Sequence, residues 1–148
     1  MPVADQIFED LKQAMRDRDK ARVTALRFIR SEIQKAEKAS RKPLDDSAVV
    51  QNLATQARRR RESIEEYKKA RREELVAKET AELDIILSYM PKQLSREEIA
   101  DAAREIIADV QASAPRDMGK VMGPLMARLR GRADGATCSQ IVRELLGA

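Results

Sequence analysis

Histidine and tryptophan are absent from this 148-residue chain, cysteine occurs once, and no glycine appears before position 119. Each scarcity closes a class. With no histidine and only Cys138, the usual zinc constellations and an intramolecular disulfide are both excluded. Cys138 has no histidine to activate it as a nucleophile, and its position among apolar residues at helical spacing reads as core packing. No cofactor and no metal is expected. Aromatics make up 3% of the residues, so few rings are available to stack unpaired bases. No apolar run approaches the ~20 residues that span a bilayer, and the start, Met1-Pro2-Val3-Ala4-Asp5, has neither a basic nor an apolar leader region. A cytoplasmic location without membrane contact is the expectation.

What the chain does hold is charge, 36% of its residues, set among alanine and leucine, and the default for that composition is an all-α fold. The formal net charge of +4 is far short of a polybasic tail. Residues 1–90 carry 20 basic and 17 acidic side chains and residues 91–148 carry 9 and 8, so neither half is polarised as a whole.

Apolar side chains recur at helical spacing almost throughout. Ile7, Phe8, Leu11, Ala14 and Met15 predict a first helix, closed by the polar run Arg16 to Lys20. Val23, Leu26, Ile29, Ile33 and Ala36 predict a second, stopped before Pro43. Asp45 or Asp46 can cap a long third helix carrying Val49 or Val50, Leu53, Ala57, Ile64 and Tyr67. Leu75, Val76, Leu83, Ile86, Leu87 and Met90 continue toward Pro91, with a break near Arg71 and Arg72. The expected organisation is an N-terminal domain of about four helices over 1–90 and a C-terminal three-helix domain over 91–148. The second opens on the capping box of Ser95 and Glu98. Its helices follow from Ile99, Ala103, Ile106, Ile107 and Val110, from a segment running to about Arg130, and from Ile141, Val142, Leu145 and Leu146 behind Asp134 or Gly135.

The five glycines all lie in the last thirty residues, and four punctuate the stretch from Met118 to Gly135. A glycine costs a helix interior about 1 kcal/mol relative to alanine, so their concentration predicts special backbone geometry there. The overlapping segment from Arg116 to Arg132 gathers Arg116, Lys120, Arg128, Arg130 and Arg132 against a single acid, Asp117. Lys120, Arg128, Arg130 and Arg132 are the candidate contacts for a large phosphate-bearing ligand, with the glycines permitting close approach. Helix termination offers a competing account: Gly131 as the residue past a helix end and Asp134 as the next N-cap explain much of Gly-Arg-Ala-Asp-Gly.

Other features read more plainly. Gly119-Lys120 is not a P-loop, because alanine stands at 114 and valine at 121 where that motif needs glycine and a hydroxyl. The run Arg58 to Arg61 reads as a solvated face paired with Glu62, Glu65 and Glu66. Glu73, Glu74, Glu79, Glu82 and Asp84 read as surface charge rather than as an acid and base pair. Met118, Met122 and Met126 form a ridge at i, i+4 spacing, read as core rather than a partner groove.

Several of these segments together resemble the YqeY family. They are Arg61-Glu62-Ser63-Ile64-Glu65-Glu66-Tyr67, Leu75-Val76-Ala77-Lys78-Glu79, Tyr89-Met90-Pro91-Lys92-Gln93-Leu94-Ser95, Asp117-Met118-Gly119-Lys120-Val121-Met122, Gly131-Arg132-Ala133-Asp134-Gly135 and Val142-Arg143-Glu144-Leu145-Leu146. The resemblance covers essentially the whole chain. It implies a C-terminal domain similar to the tail of GatB, a subunit of the tRNA-dependent amidotransferase, which amidates glutamate or aspartate on tRNA with glutamine as nitrogen donor. It implies also a grouping with carbon-nitrogen ligases, although the catalytic centre of GatB has no counterpart here. Gly119, Gly131, Asp134 and Gly135 stand at the motif positions. Two departures are noted: Arg71 replaces a glycine common in relatives, and Pro124 should kink or shorten the sixth helix.

The leading expectation is a noncatalytic tRNA-binding module working beside an amidotransferase or an aminoacyl-tRNA synthetase. The alternatives are a helical adaptor that binds a protein partner through the third helix or the methionine ridge, and, least favoured, a ligase in its own right.

Overall fold

Apolar spacing of three and four residues produces helices throughout. The computed structural model describes residues 1–147, with α1 (Val3–Arg16), α2 (Lys20–Ser40), α3 (Asp46–Lys69), α4 (Glu73–Ser88), α5 (Arg96–Val110), α6 (Met118–Arg128) and α7 (Gly135–Leu145). A single 3-10 turn, Pro115–Asp117, leads into α6, and no strand occurs among the described residues. The fold is all-α. The chain divides into two compact units, Met1–Met90 and Pro91–Ala148.

In the first unit, Ile7, Leu11 and Ala14 of α1, Leu26, Ile29 and Ile33 of α2, Val49, Leu53 and Ala57 of α3 and Ile86 of α4 form one core. Fully burying a Leu or Ile side chain contributes roughly 1.5–3 kcal/mol, so this cluster is the main source of the unit's stability. Polar caps set where the helices begin. Asp19 accepts the Arg22 N–H at 3.1 Å and Asp45 accepts the Ala48 N–H at 2.8 Å, while Asp46 accepts the Val3 N–H at 2.9 Å and so ties the start of α1 to that of α3. Past the end of α4, the Tyr89 hydroxyl donates to the Asp10 carboxylate of α1 at 2.6 Å. Burial, then that carboxylate, pushes the phenol well above its ordinary range.

These helices stop without glycine. Arg18, Arg41 and Arg71, at or just past the ends of α1, α2 and α3, have φ of 56°, 57° and 56°, and Gln111 after α5 has 56°. The left-handed region costs an L-residue roughly 1–2 kcal/mol, which other contacts must offset. The α3 to α4 break is therefore sharp although arginine occupies it.

Up to Ala57, α3 lies on the core. From residue 58 to residue 82 neither α3 nor α4 contributes a side chain to that core, and the two helices continue as a pair packed on each other. The arginine run is divided by this pairing. Arg58 faces Glu62 at 4.0 Å and Arg59 reaches Glu32 of α2 at 3.7 Å, but Arg60 is largely buried and pairs with Glu79 at 2.8 Å and with Glu82, its guanidinium 4.8 Å from the centre of the Phe28 ring. The reading of Arg60, Glu79 and Glu82 as surface charge is thus corrected: Glu82 is only 9% exposed. Two carboxylates can be buried there because one guanidinium bridges them.

In the second unit, α5 opens on the capping box, with the Ser95 hydroxyl accepting the Glu98 N–H at 3.1 Å and the Glu98 carboxylate accepting the Ser95 N–H at 3.0 Å. Its core joins Ile99, Ala103 and Ile106 of α5, Val121 and Leu125 of α6, Leu129, and Cys138, Ile141, Val142 and Leu146 of the final segment. Cys138 is fully buried there, and burial raises its thiol pKa.

Candidate nucleic-acid interface

Every fourth residue of Val121, Leu125 and Leu129 is fully or almost fully buried, which fixes the inner face of α6. Met118, Met122 and Met126 flank that stripe, half-buried against the same core. The outer face carries Gly119, Lys120, Gly123, Pro124, Ala127 and Arg128, all exposed. Pro124 does not interrupt the helix, which continues four residues beyond it to Arg128. The carbonyl of Lys120 that loses its partner there lies on the solvent side, where water can supply a donor.

The glycines behave differently from the sequence expectation. Gly119 and Gly123 are ordinary helical residues, and a Cβ built on either meets nothing within 4 Å. Gly135 starts α7, and a Cβ there would sit 3.9 Å from the Met126 Cε, an ordinary contact. Only Gly131 and Gly147 have positive φ, 77° and 86°. Special backbone geometry is therefore confined to two of the five, and the rest of the chain's left-handed positions are filled by arginine and glutamine.

Gly131 belongs to a turn that closes α6 and docks the entrance of α5. The Arg132 N–H donates to the Leu129 carbonyl at 2.8 Å, the Leu94 N–H donates to the Arg132 carbonyl at 2.8 Å, and the Gln93 amide donates to the Gly131 carbonyl at 2.8 Å. Asp134 then caps α7, accepting the Thr137 N–H at 3.0 Å and its hydroxyl at 2.7 Å. Gly131 thus stands past a helix end and Asp134 caps the next helix.

The four candidate cations are not equivalent. Lys120 is exposed and faces Asp117 at 3.6 Å, and Arg128 is exposed and pairs with Glu105 of α5 at 2.5 Å. Arg130 is exposed and has no ion pair or hydrogen bond among the described residues. Arg132 is half-buried and donates to the Arg128 carbonyl at 3.1 Å, capping the last turn of α6. Sequence spacing could not separate these roles, because they depend on which acid or carbonyl α5 and the turn present.

Acidic groups around the site are held ionised. Glu98 sits below its ordinary range because the Ser95 N–H and then the Ser95 hydroxyl bond its carboxylate, with Lys92 and Arg132 adding charge. Asp117 is lowered chiefly by the Ser113 N–H at 2.9 Å, then by the Ala114 N–H and Lys120. Exposed pairs of the Lys120 and Arg128 kind contribute about 0–1 kcal/mol. Among the described residues no group of three or more cysteines and carboxylates is placed to hold a metal.

Residues 4–146 match the family described as "Yqey-like protein". A protein of Pyrenophora tritici-repentis named "Altered inheritance of mitochondria protein 41, mitochondrial" is 33% identical over 149 residues, covering 99% of this chain and 82% of the relative. Proteins of the same name from Kluyveromyces lactis and Eremothecium gossypii are 36% and 32% identical, covering 72% and 81% of this chain and 60% and 70% of the relatives. These names overturn the expectation of a cytoplasmic location, since the relatives are mitochondrial proteins by name and the absence of a recognisable leader is no guide to compartment. No helix among the described residues is long and apolar enough to cross a membrane.

Proposed function

The chain belongs to the Yqey-like protein family, and from that premise we propose that it is a noncatalytic tRNA-binding module working beside an amidotransferase or an aminoacyl-tRNA synthetase. The observation that carries the reading is the outer face of α6. Gly119, Gly123 and Ala127 leave its backbone open, with no atom within 4 Å of a Cβ built at either glycine, and Lys120, Arg128 and Arg130 border it. The fold has no need of glycine at 119 or 123, and each costs about 1 kcal/mol in a helix. A ligand that must come close to that backbone supplies the reason. Folded RNA fits, because its duplex is held through phosphate and 2′-hydroxyl contacts rather than by aromatic stacking.

The resemblance of α5 to α7 to the GatB tail belongs to the same proposal, as does the association with glutamine-dependent amidation. The chain's own contribution is binding and positioning. The experiment is a titration of bulk tRNA across a salt series, with wild type against a Lys120→Ala, Arg130→Ala double variant of confirmed helicity. Binding that falls steeply with salt, with a slope reduced by about 2 in the variant, supports the module. Absence of binding at low salt defeats it and favours the protein adaptor.

A further inference from the structure

The distal end of the α3 and α4 pair brings together features that the α6 reading does not use. Past Ile64 of α3 no side chain is buried until Glu82 of α4, so the turn joining these helices stands at the end of an arm. The turn carries Lys68, Lys69, Arg71 and Arg72, all exposed, with no acidic residue between them. A cleft of about 510 Å³ opens beside it, lined by Tyr67, Lys68, Arg71, Arg72, Glu73, Val76 and Ala77. One aromatic ring and an aliphatic wall thus border a cluster of cations.

Arg71 is the least expected of these residues. It holds φ at 56°, where glycine is favoured, yet its guanidinium has no ion pair or hydrogen bond among the described residues. The fold uses its backbone and leaves its side chain idle. Arg18 and Arg41 share the conformation, but neither borders this cleft. The neighbouring cations are loosely engaged. Lys68 faces Glu65 at 3.6 Å and Lys69 faces Glu66 at 3.4 Å, while Arg72 bonds Glu74 at 2.7 Å, all on exposed side chains. Bonds of this kind yield to a better anion. At the start of α4 the cap position is Arg72, whose guanidinium has no acceptor to offer to the first-turn N–H groups.

We propose that the tip of the α3 and α4 arm is a second RNA-binding site, one that takes an unpaired nucleotide. The base stacks on the Tyr67 ring against Val76 and Ala77, and its phosphates lie on Arg71, Arg72 and Lys68. Charge complementarity selects a polyanion, and the single ring beside it selects one with flat bases. This goes beyond the α6 proposal, which concerns folded RNA, and it stands on different residues in the other unit.

The test is fluorescence anisotropy of the full chain with labelled hexaadenylate at low salt, with inorganic hexametaphosphate as the competitor that carries charge without bases. Wild type should bind the hexamer, and Tyr67→Ala should weaken binding about tenfold, the size expected for loss of one base stack. Arg71→Gly should also weaken it while raising the thermal midpoint by about 3 °C, because glycine relieves the left-handed strain. A merely structural arginine would not move stability and affinity in opposite directions. No hexamer binding, equal competition by hexametaphosphate without a Tyr67 effect, or an affinity unchanged in Arg71→Gly would each overturn the proposal. The Lys120→Ala, Arg130→Ala variant should retain hexamer binding, so tRNA failure through α6 and hexamer failure through the arm are read separately.

Discussion

The Leu94 N–H donates to the Arg132 carbonyl at 2.8 Å, joining the strand of chain that enters α5 to the turn that leaves α6. That bond needs Gly131 in its left-handed conformation, φ 77°, one residue earlier. Replacing Gly131 with alanine should destabilise the second unit by about 1–2 kcal/mol, the cost of a left-handed L-residue. A urea titration followed by circular dichroism would read it, and tRNA affinity measured well below the midpoint should stay unchanged.

Gly119→Ala and Gly123→Ala should act in the opposite sense. Both positions are helical with open space outside, so each substitution should stabilise by up to about 1 kcal/mol. On the proposed function each should weaken tRNA binding by adding bulk to the contact face. A stabilised double variant that binds tRNA as wild type does would remove α6 from the interface.

Removing Arg60 leaves Glu79 and Glu82 facing each other with little solvent. Arg60→Ala should cost about 2–4 kcal/mol, the range for stripping one partner from a mostly buried pair. Adding Glu82→Gln to that variant should recover part of the loss, because one of the uncompensated charges is gone. Loss of stability equal in the single and double variants would show that Arg60 acts through packing on Phe28 alone.

Stability should fall at both ends of the pH range, for opposite reasons. Glu98 and Asp117 have pKa values lowered below 4.5 and 3.8, so their contribution is complete above those values and disappears as pH falls through the lowered ones. Tyr89 is raised above 10.0, so its contribution is complete below that pH and fades as pH rises further. Thermal melts from pH 2 to 11 should show an acid loss reduced in Glu98→Gln and an alkaline loss reduced in Tyr89→Phe.

The helices were legible because burial here follows a strict period: Ile7, Leu11 and Ala14, or Ile99, Ala103 and Ile106, mark the inner faces with no tertiary information. Ser95 was legible as a cap, and Asp45 and Asp134 each as one of two candidates, for a local reason, since each bonds the N–H three residues on. Two kinds of feature were not. Arg58 to Arg61 are identical in sequence, and only the placement of Glu79 and Glu82 on α4 makes Arg60 the buried one. Left-handed backbone was legible at Gly131 but not elsewhere, because glycine is its usual marker; this chain puts arginine at three such sites and spends two of its glycines inside α6. The cations near α6 were found, but the capping role of Arg132 depends on the Arg128 carbonyl that the turn brings beneath it.

The arm formed by α3 and α4 also sets how the molecule comes apart. Because no residue from 65 to 81 is buried, that end of the pair can open while the remainder of the unit stays folded. Amide exchange along α3 should therefore be slow as far as Ile64 and fast past it, although the helix is continuous. One helix would report two protection levels, and the faster one belongs to the segment that ends at Arg71.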